Sequence, residues 1–262
     1  MKGIGVWVCA SLAVLGGAAP AGAADHNNVD AHRPLSFDDA DSLAFREQAF
    51  ELGLNLAWPR KRPLGLGMDF EYLYGFAMNS HASLGFEPST GGRAGDPDTG
   101  FDLGSVALGL FHNFNREHRG APAFSVRGDA YFPTGREAKG VAFRLRGIAS
   151  RQAGYGRLHL NVDLNGNPGA RKEERQIHPG VVLGYSRPIG YPVHFHTTGL
   201  AELSVRAGED RGTGPVIGVG VGMRRQVGVR SVLDVGLQSD VAASRGAPRD
   251  HLRLVVGYST GF

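Results

Sequence analysis

The sequence predicts an all-β protein, an antiparallel transmembrane β-barrel of about twelve strands, with ten as the competing count. Three observations predict it. Apolar residues recur at every second position in segments of about ten residues. Lysine almost disappears behind an export leader. Turn residues divide the segments into alternating short and long connections.

Residues 1–23 read as a cleaved signal peptide. Lys2 gives a positive start, Ile4 to Leu15 an apolar stretch, and Ala21-Gly22-Ala23 the small-residue pattern that signal peptidase cuts. The stretch is short for a bilayer span and runs directly into Asp25-His26-Asn27-Asn28. Cys9 lies inside the leader, so the mature chain has no cysteine. Disulfides, thiolate catalysis and cysteine-held metal clusters go with it, and no cofactor is indicated. The leader carries Lys2 and no acid, which takes the formal charge of +3 to +2. Basic and acidic residues are interspersed, which gives no nucleic-acid footprint. The 40 glycines argue against a helical protein, because each costs about 1 kcal/mol in a helix relative to alanine. Residues 24–47 lack alternation and form a periplasmic or plug-like segment; the barrel occupies residues 48–262.

The alternation starts with Phe50, Leu52, Leu54, Leu56 and Trp58 against Glu51, Gly53, Asn55 and Ala57. It is longest from Leu64 to Phe76, where Gly65, Gly67, Asp69, Glu71 and Gly75 hold the opposite face and Leu73 is the exception. Leu158 to Leu164, Ile217 to Met223 and Leu252 to Tyr258 repeat it. Successive strand side chains point to opposite sides, so each segment has one apolar face and one small or charged face. A soluble barrel also alternates, but it covers its outside with lysine and glutamate. Here only Lys61, Lys139 and Lys172 follow the leader, all in predicted loops. Aromatic residues gather at the ends of the apolar face, including Trp58, Tyr72, Phe132 and Tyr258, where interfacial girdles sit.

We place strands at 48–58, 64–77, 81–88, 101–114, 122–133, 140–153, 156–165, 177–187, 192–206, 215–227, 231–241 and 250–262. An even count puts both termini on the periplasmic side. Long connections at 87–100, 133–140, 165–176, 207–214 and 242–250 then alternate with short ones, with 59–63 and 115–121 as exceptions. The final residue, Phe262, resembles the terminal aromatic by which outer-membrane barrels are recognised by their assembly machinery.

The predicted inward, lumen-lining set is Asp69, Glu71, Arg127, Asp129, Arg144 and Arg146, continued by His159, Asp163, His196, Glu202, Arg224 and Asp234. Opposed charges are expected to pair across the lumen. Such a network either lines a thin polar path or plugs the interior.

Two motifs carry a family resemblance. Arg33-Pro34-Leu35-Ser36-Phe37-Asp38-Asp39-Ala40 is similar to the opening of an outer-membrane transporter family named for the meta-pathway of phenol degradation. Phe132-Pro133-Thr134-Gly135 resembles the Pro-Thr-Gly that follows a strand in the same family. The resemblance implies a barrel that admits small, often aromatic, molecules and brings no catalytic residues. From the residues alone, Pro133 ends its strand for lack of an N–H, and Gly135 permits the turn.

Other chemistry is weaker. His81, Ser83 and Glu87 share a face and have the residue types of an acyl hydrolase, yet Ala82, Leu84 and Phe86 claim the lipid side. His194 and His196 share a face without a third ligand at a confirming spacing. Asp163, Asn165, Asn167 and Glu174 have calcium-loop spacing, but Pro168 occupies the position of the glycine turn. Gly218, Gly220 and Gly222 alternate within a strand and precede no helix, unlike a nucleotide loop. Three functions therefore stay open: passage of a small molecule, an outer-membrane acyl hydrolase of the lipid A deacylase or phospholipase type, and a closed structural or adhesion barrel. The expected partners are outer-membrane lipids, the assembly machinery and an unidentified small molecule.

Overall fold

The structure is a computed structural model. It describes residues 33–59, 64–90, 100–135, 140–170, 172–190, 196–244, 246–247 and 249–262. The signal peptide, His194, Lys61 and Lys139 lie outside the described residues.

The strands are β1 (Gln48–Pro59), β2 (Gly65–Ala77), β3 (Ser80–Phe86), β4 (Ser89–Thr90), β5 (Phe101–Asp102), β6 (Ser105–Asn115), β7 (Ala123–Pro133), β8 (Ala142–Ala153), β9 (Gly156–Gly166), β10 (Ile177–Pro188), β11 (Thr197–Arg206), β12 (Val216–Gly228), β13 (Ser231–Ala243) and β14 (Asp250–Gly261). Among the described residues there is no helix. All strands but β4 and β5 pair antiparallel with their neighbours, and β1 pairs with both β14 and β2, which closes a twelve-stranded barrel. The two-residue strands β4 and β5 form a small hairpin on the edge of β2. The 13 residues of β2 extend about 43 Å at about 3.3 Å each. Tilted by about 40°, they rise about 33 Å, enough for an apolar band of about 25 Å.

The faces divide as the alternation predicts. On β6, β9 and β12 the outward Leu110, Leu160 and Val221 are 62%, 43% and 60% exposed, whereas inward His159 of β9 and Asp234 of β13 are 0% exposed. An exposed apolar wall around a buried polar interior inverts the pattern of a soluble barrel and fits a lipid solvent outside. Two boundaries differ from the sequence expectation. The strand placed at 101–114 is broken at Gly104, which has φ 69° and where a Cβ would lie 1.9 Å from the Glu87 carbonyl oxygen. The strand placed at 192–206 begins only at Thr197.

Both strand termini, Gln48 and Gly261, lie at one end, called here the terminal end; the long connections lie at the other, the loop end.

Candidate functional site

The site is the lumen, and it starts from a constraint on the inner rows. A guanidinium or carboxylate held away from water is costly unless it is paired. Arg127 pairs with Glu71 at 2.6 Å and with Asp129 at 2.9 Å, and Asp129 also takes Arg144 at 2.7 Å. Arg146 pairs with Asp163 at 2.6 Å, and Arg224 with Asp234 at 2.8 Å. Arg127–Glu71 joins β7 to β2, and Arg206–Asp240, at 2.7 Å, joins β11 to β13; neither pair of strands is adjacent. The sequence expectation of pairing across the lumen is thus corrected: most pairs run laterally along the wall, where neighbouring strands bring charges closest.

The lumen is occupied by the chain itself. Residues 33–44 form an irregular strap that follows the inner circumference and touches the wall strands in succession. Arg33 pairs with Glu51 of β1. Ser36 donates its backbone N–H to Glu202 of β11 at 2.7 Å. Asp38 and Asn161 of β9 bond reciprocally, N–H to Oδ1 at 2.7 Å and Nδ2 to carbonyl at 2.9 Å, and Asp38 also meets Arg146 at 3.0 Å. The Ala40 N–H donates to Ser150 at 3.0 Å, while its carbonyl accepts from Asn113 and Ser125, both at 2.6 Å. The Leu43 N–H donates to His81 Nδ1 at 3.3 Å. Backbone outside a sheet has no ladder partners, so the wall's polar side chains supply them.

Packing follows the same path. Leu35 and Phe37 cluster with Val182 and Leu200, Ala40 with Phe111, Ala123 and Ile148, and Leu43 with Ala49 and Leu73. Leu73, the exception in the longest alternating segment, faces inward because Leu43 covers it. Phe37 stacks on His159 with ring centroids 5.1 Å apart. A Cβ at Gly184 would come within 2.5 Å of that ring, and one at Gly236 within 2.4 Å of the Pro34 carbonyl oxygen. The inner row is bare where the strap lies closest.

Toward the loop end, Arg33 and Ser36 help bound a cavity of about 610 Å³, a vestibule whose wall includes Asp69, Glu87, Tyr131 and Arg253. Ligand cavities typically span about 300–1,000 Å³. Glu87 lies just beyond β3, and although the residue is exposed at the rim, its carboxyl belongs to the vestibule wall. Burial, and then the charge of Asp69, push its pKa up to about 7. Asp69 accepts a hydrogen bond from Asn55.

Eleven of the expected lining residues sit on inner rows. His196 does not: it lies in the connection before β11, is exposed, and offers its carbonyl to Gln226 N–H at 2.8 Å, because the chain has not yet entered the sheet. His81 stacks on Phe111 at 4.6 Å and spends Nδ1 on Leu43, so its ring is engaged with the strap and wall. The calcium-spaced residues do not converge: Asp163 belongs to Arg146, Asn165 donates to the His178 carbonyl, and Asn167 accepts from Gly169 N–H. Gly220 and Gly222 face Pro34 and Leu35 of the strap, whereas Gly218 faces Ser204 and Asp240. Sequence reasoning missed Asn113, Ser125, Ser150 and Asn161, which hold the strap. Their signal was small polar residues in the inner row opposite a segment without alternation.

The fold is similar to the crystal structure of an outer membrane channel from Pseudomonas putida F1, with a TM-score of 0.68 and 15% identity over 86% of this chain and 98% of that one. It is also similar to the NanC porin, with a TM-score of 0.55 and 6% identity over 80% of this chain and 98% of that one. At such identities the likeness is one of fold. No curated protein matches the chain. The sequence matches the family described as "Putative MetA-pathway of phenol degradation" over residues 31–254, from the strap through almost the whole barrel, and the chain belongs to that family.

Proposed function

We propose that the protein is an outer-membrane channel for small molecules, with aromatic ones the first class to test, and that passage requires the strap to leave its place on the inner wall. One observation carries this reading. A vestibule of about 610 Å³ ends on a segment held by hydrogen bonds, ion pairs and packing, all reversible, rather than on barrel wall. Residues 1–23 serve as the export signal, lipids surround the wall, and Phe262 is the mark read by the assembly machinery. Phe262 bonds back to the Gln48 carbonyl at 2.9 Å, beside the seam where β14 meets β1.

Purified protein in planar bilayers and in liposomes tests the proposal. We expect discrete conductance steps and uptake of small aromatic solutes. A folded barrel inert in both assays overturns it and favours the closed structural barrel, the second reading, which rests on the same occupied lumen. Among the described residues no contact favours the hydrolase reading, since His81 turns its Nδ1 to the strap.

A further inference from the structure

The outward rows of the long strands carry almost no charge. Among the described residues, Arg151 on β8, Arg187 on β10 and Arg225 on β12 are the ionised side chains in those rows. Their inward neighbours fix the orientation: Ser150, Ser186 and Arg224 are buried, and Arg151 and Arg225 lie opposite the outward Leu158 and Leu233. All three arginines are exposed and near the terminal end of their strands, with no carboxylate partner among the described residues. Acids at the terminal end hold other groups. Glu117 accepts from Gln152 N–H at 2.8 Å, Glu47 from Ala44 N–H at 2.7 Å, and Asp41 from Arg157 at 2.6 Å. Arg187 lies over the ring of exposed Tyr155, 5.9 Å from its centroid. At the loop end the outward rows finish instead on uncharged residues such as Trp58, Phe143, Ile177 and Leu252.

An arginine near the edge of the hydrocarbon needs an anion, and its planar fork matches a phosphodiester with two parallel hydrogen bonds. We infer that Arg151, Arg187 and Arg225 form a collar for the phosphate headgroups of anionic phospholipids in the leaflet at the terminal end. The collar sits on alternate strands, so each arginine reaches its own headgroup, and Tyr155 supplies an amphipathic ring at the same level. This inference concerns the outer wall and stands apart from the transport reading.

The test compares wild-type protein with the Arg151→Gln/Arg187→Gln/Arg225→Gln variant in phosphatidylcholine vesicles, with and without phosphatidylglycerol. Urea unfolding gives the folded-to-unfolded ratio in each. For the wild type, phosphatidylglycerol should raise that ratio by about fivefold per arginine, and high salt should erode the gain. The triple variant should fold in phosphatidylcholine and show no such gain. An equal gain in the variant overturns the collar. So does inorganic phosphate that reproduces the gain in phosphatidylcholine vesicles, since that would mark a site for free anions. The conductance of the variant should match that of the wild type.

Discussion

Truncating Phe37 to alanine should detach the strap without opening the wall. Its side chain is 0% exposed, stacks on His159, and occupies the space left by the missing side chain of Gly184. Phe→Ala in a packed interior costs about 3–5 kcal/mol. Here the whole cost falls on the docked strap, because Val182 and Leu200 keep their places in paired strands. At about 1.4 kcal/mol per decade, the undocked population should rise by roughly two to three and a half decades. The assay is single-channel recording in planar bilayers, with heat-modifiable gel migration to confirm a closed barrel. Phe37→Ala should show more frequent and larger openings than the wild type. Leu183→Ala, on the outward face of the same strand and 47% exposed, should behave as the wild type. Unchanged opening in Phe37→Ala, with a barrel that migrates normally, would refute the idea that this strap limits the lumen.

Three further outcomes follow from the same contacts. Gly236→Val places a Cβ within 2.4 Å of the Pro34 carbonyl oxygen and should raise conductance, whereas outward Gly128→Val, with nothing within 4 Å of its added Cβ, should not. Arg127→Met strands Glu71 and Asp129 without one of their cations. Breaking a buried pair costs about 3–5 kcal/mol, so its urea midpoint in vesicles should fall, and adding Glu71→Gln should recover part of the loss. Glu87, with its pKa pushed from 4.5 to about 7, keeps in the folded state a proton that the unfolded chain has released, so its contribution to stability falls as pH rises across that interval. The vestibule gains a negative charge over the same range. Cation selectivity, read from reversal potentials between about pH 5.5 and about pH 8.5, should rise in the wild type and stay flat in Glu87→Gln.

The wall was legible in the sequence because its signal is local. Side-chain direction repeats every second residue, so Phe50 to Trp58 or Leu158 to Leu164 declare their faces without knowledge of any partner. The strap was not legible as a strap, because its contacts are remote: Ser36 to Glu202 spans 166 positions and Asp38 to Asn161 spans 123. Its trace in the sequence was indirect. Leu73, Phe111, Ile148, Val182 and Leu200 are apolar residues in rows that should be polar, and each is covered by a residue of 33–43. An apolar side chain on a polar inner row implies an unseen apolar neighbour, and residues 33–43 are the one described segment free to provide it. His196 failed for the opposite reason. Alternation was extended through a connection where the backbone had already left the sheet, and parity has no meaning there.

The distribution of inner residues bears on what the lumen suits. On β12 and β13 the wall beneath the strap is glycine, at Gly220, Gly222 and Gly236, and on β10 it is Gly184. On β7, β8 and β9 it is Ser125, Ser150 and Asn161, and the Arg127–Asp129–Arg144 ladder and the Arg146–Asp163 pair line the vestibule beside them. The two sides are not interchangeable. Once the strap departs, the first side presents bare backbone, Val182 and Leu200, with Glu202 and the Arg224–Asp234 pair beside them. The second presents charges that have already satisfied one another and can spare hydrogen bonds but little net field. A saturated hydrocarbon leaves the arginines and aspartates without water. A solute behind the strap thus meets an asymmetric wall, rich in glycine on β10, β12 and β13 and laddered with paired charges on β7, β8 and β9.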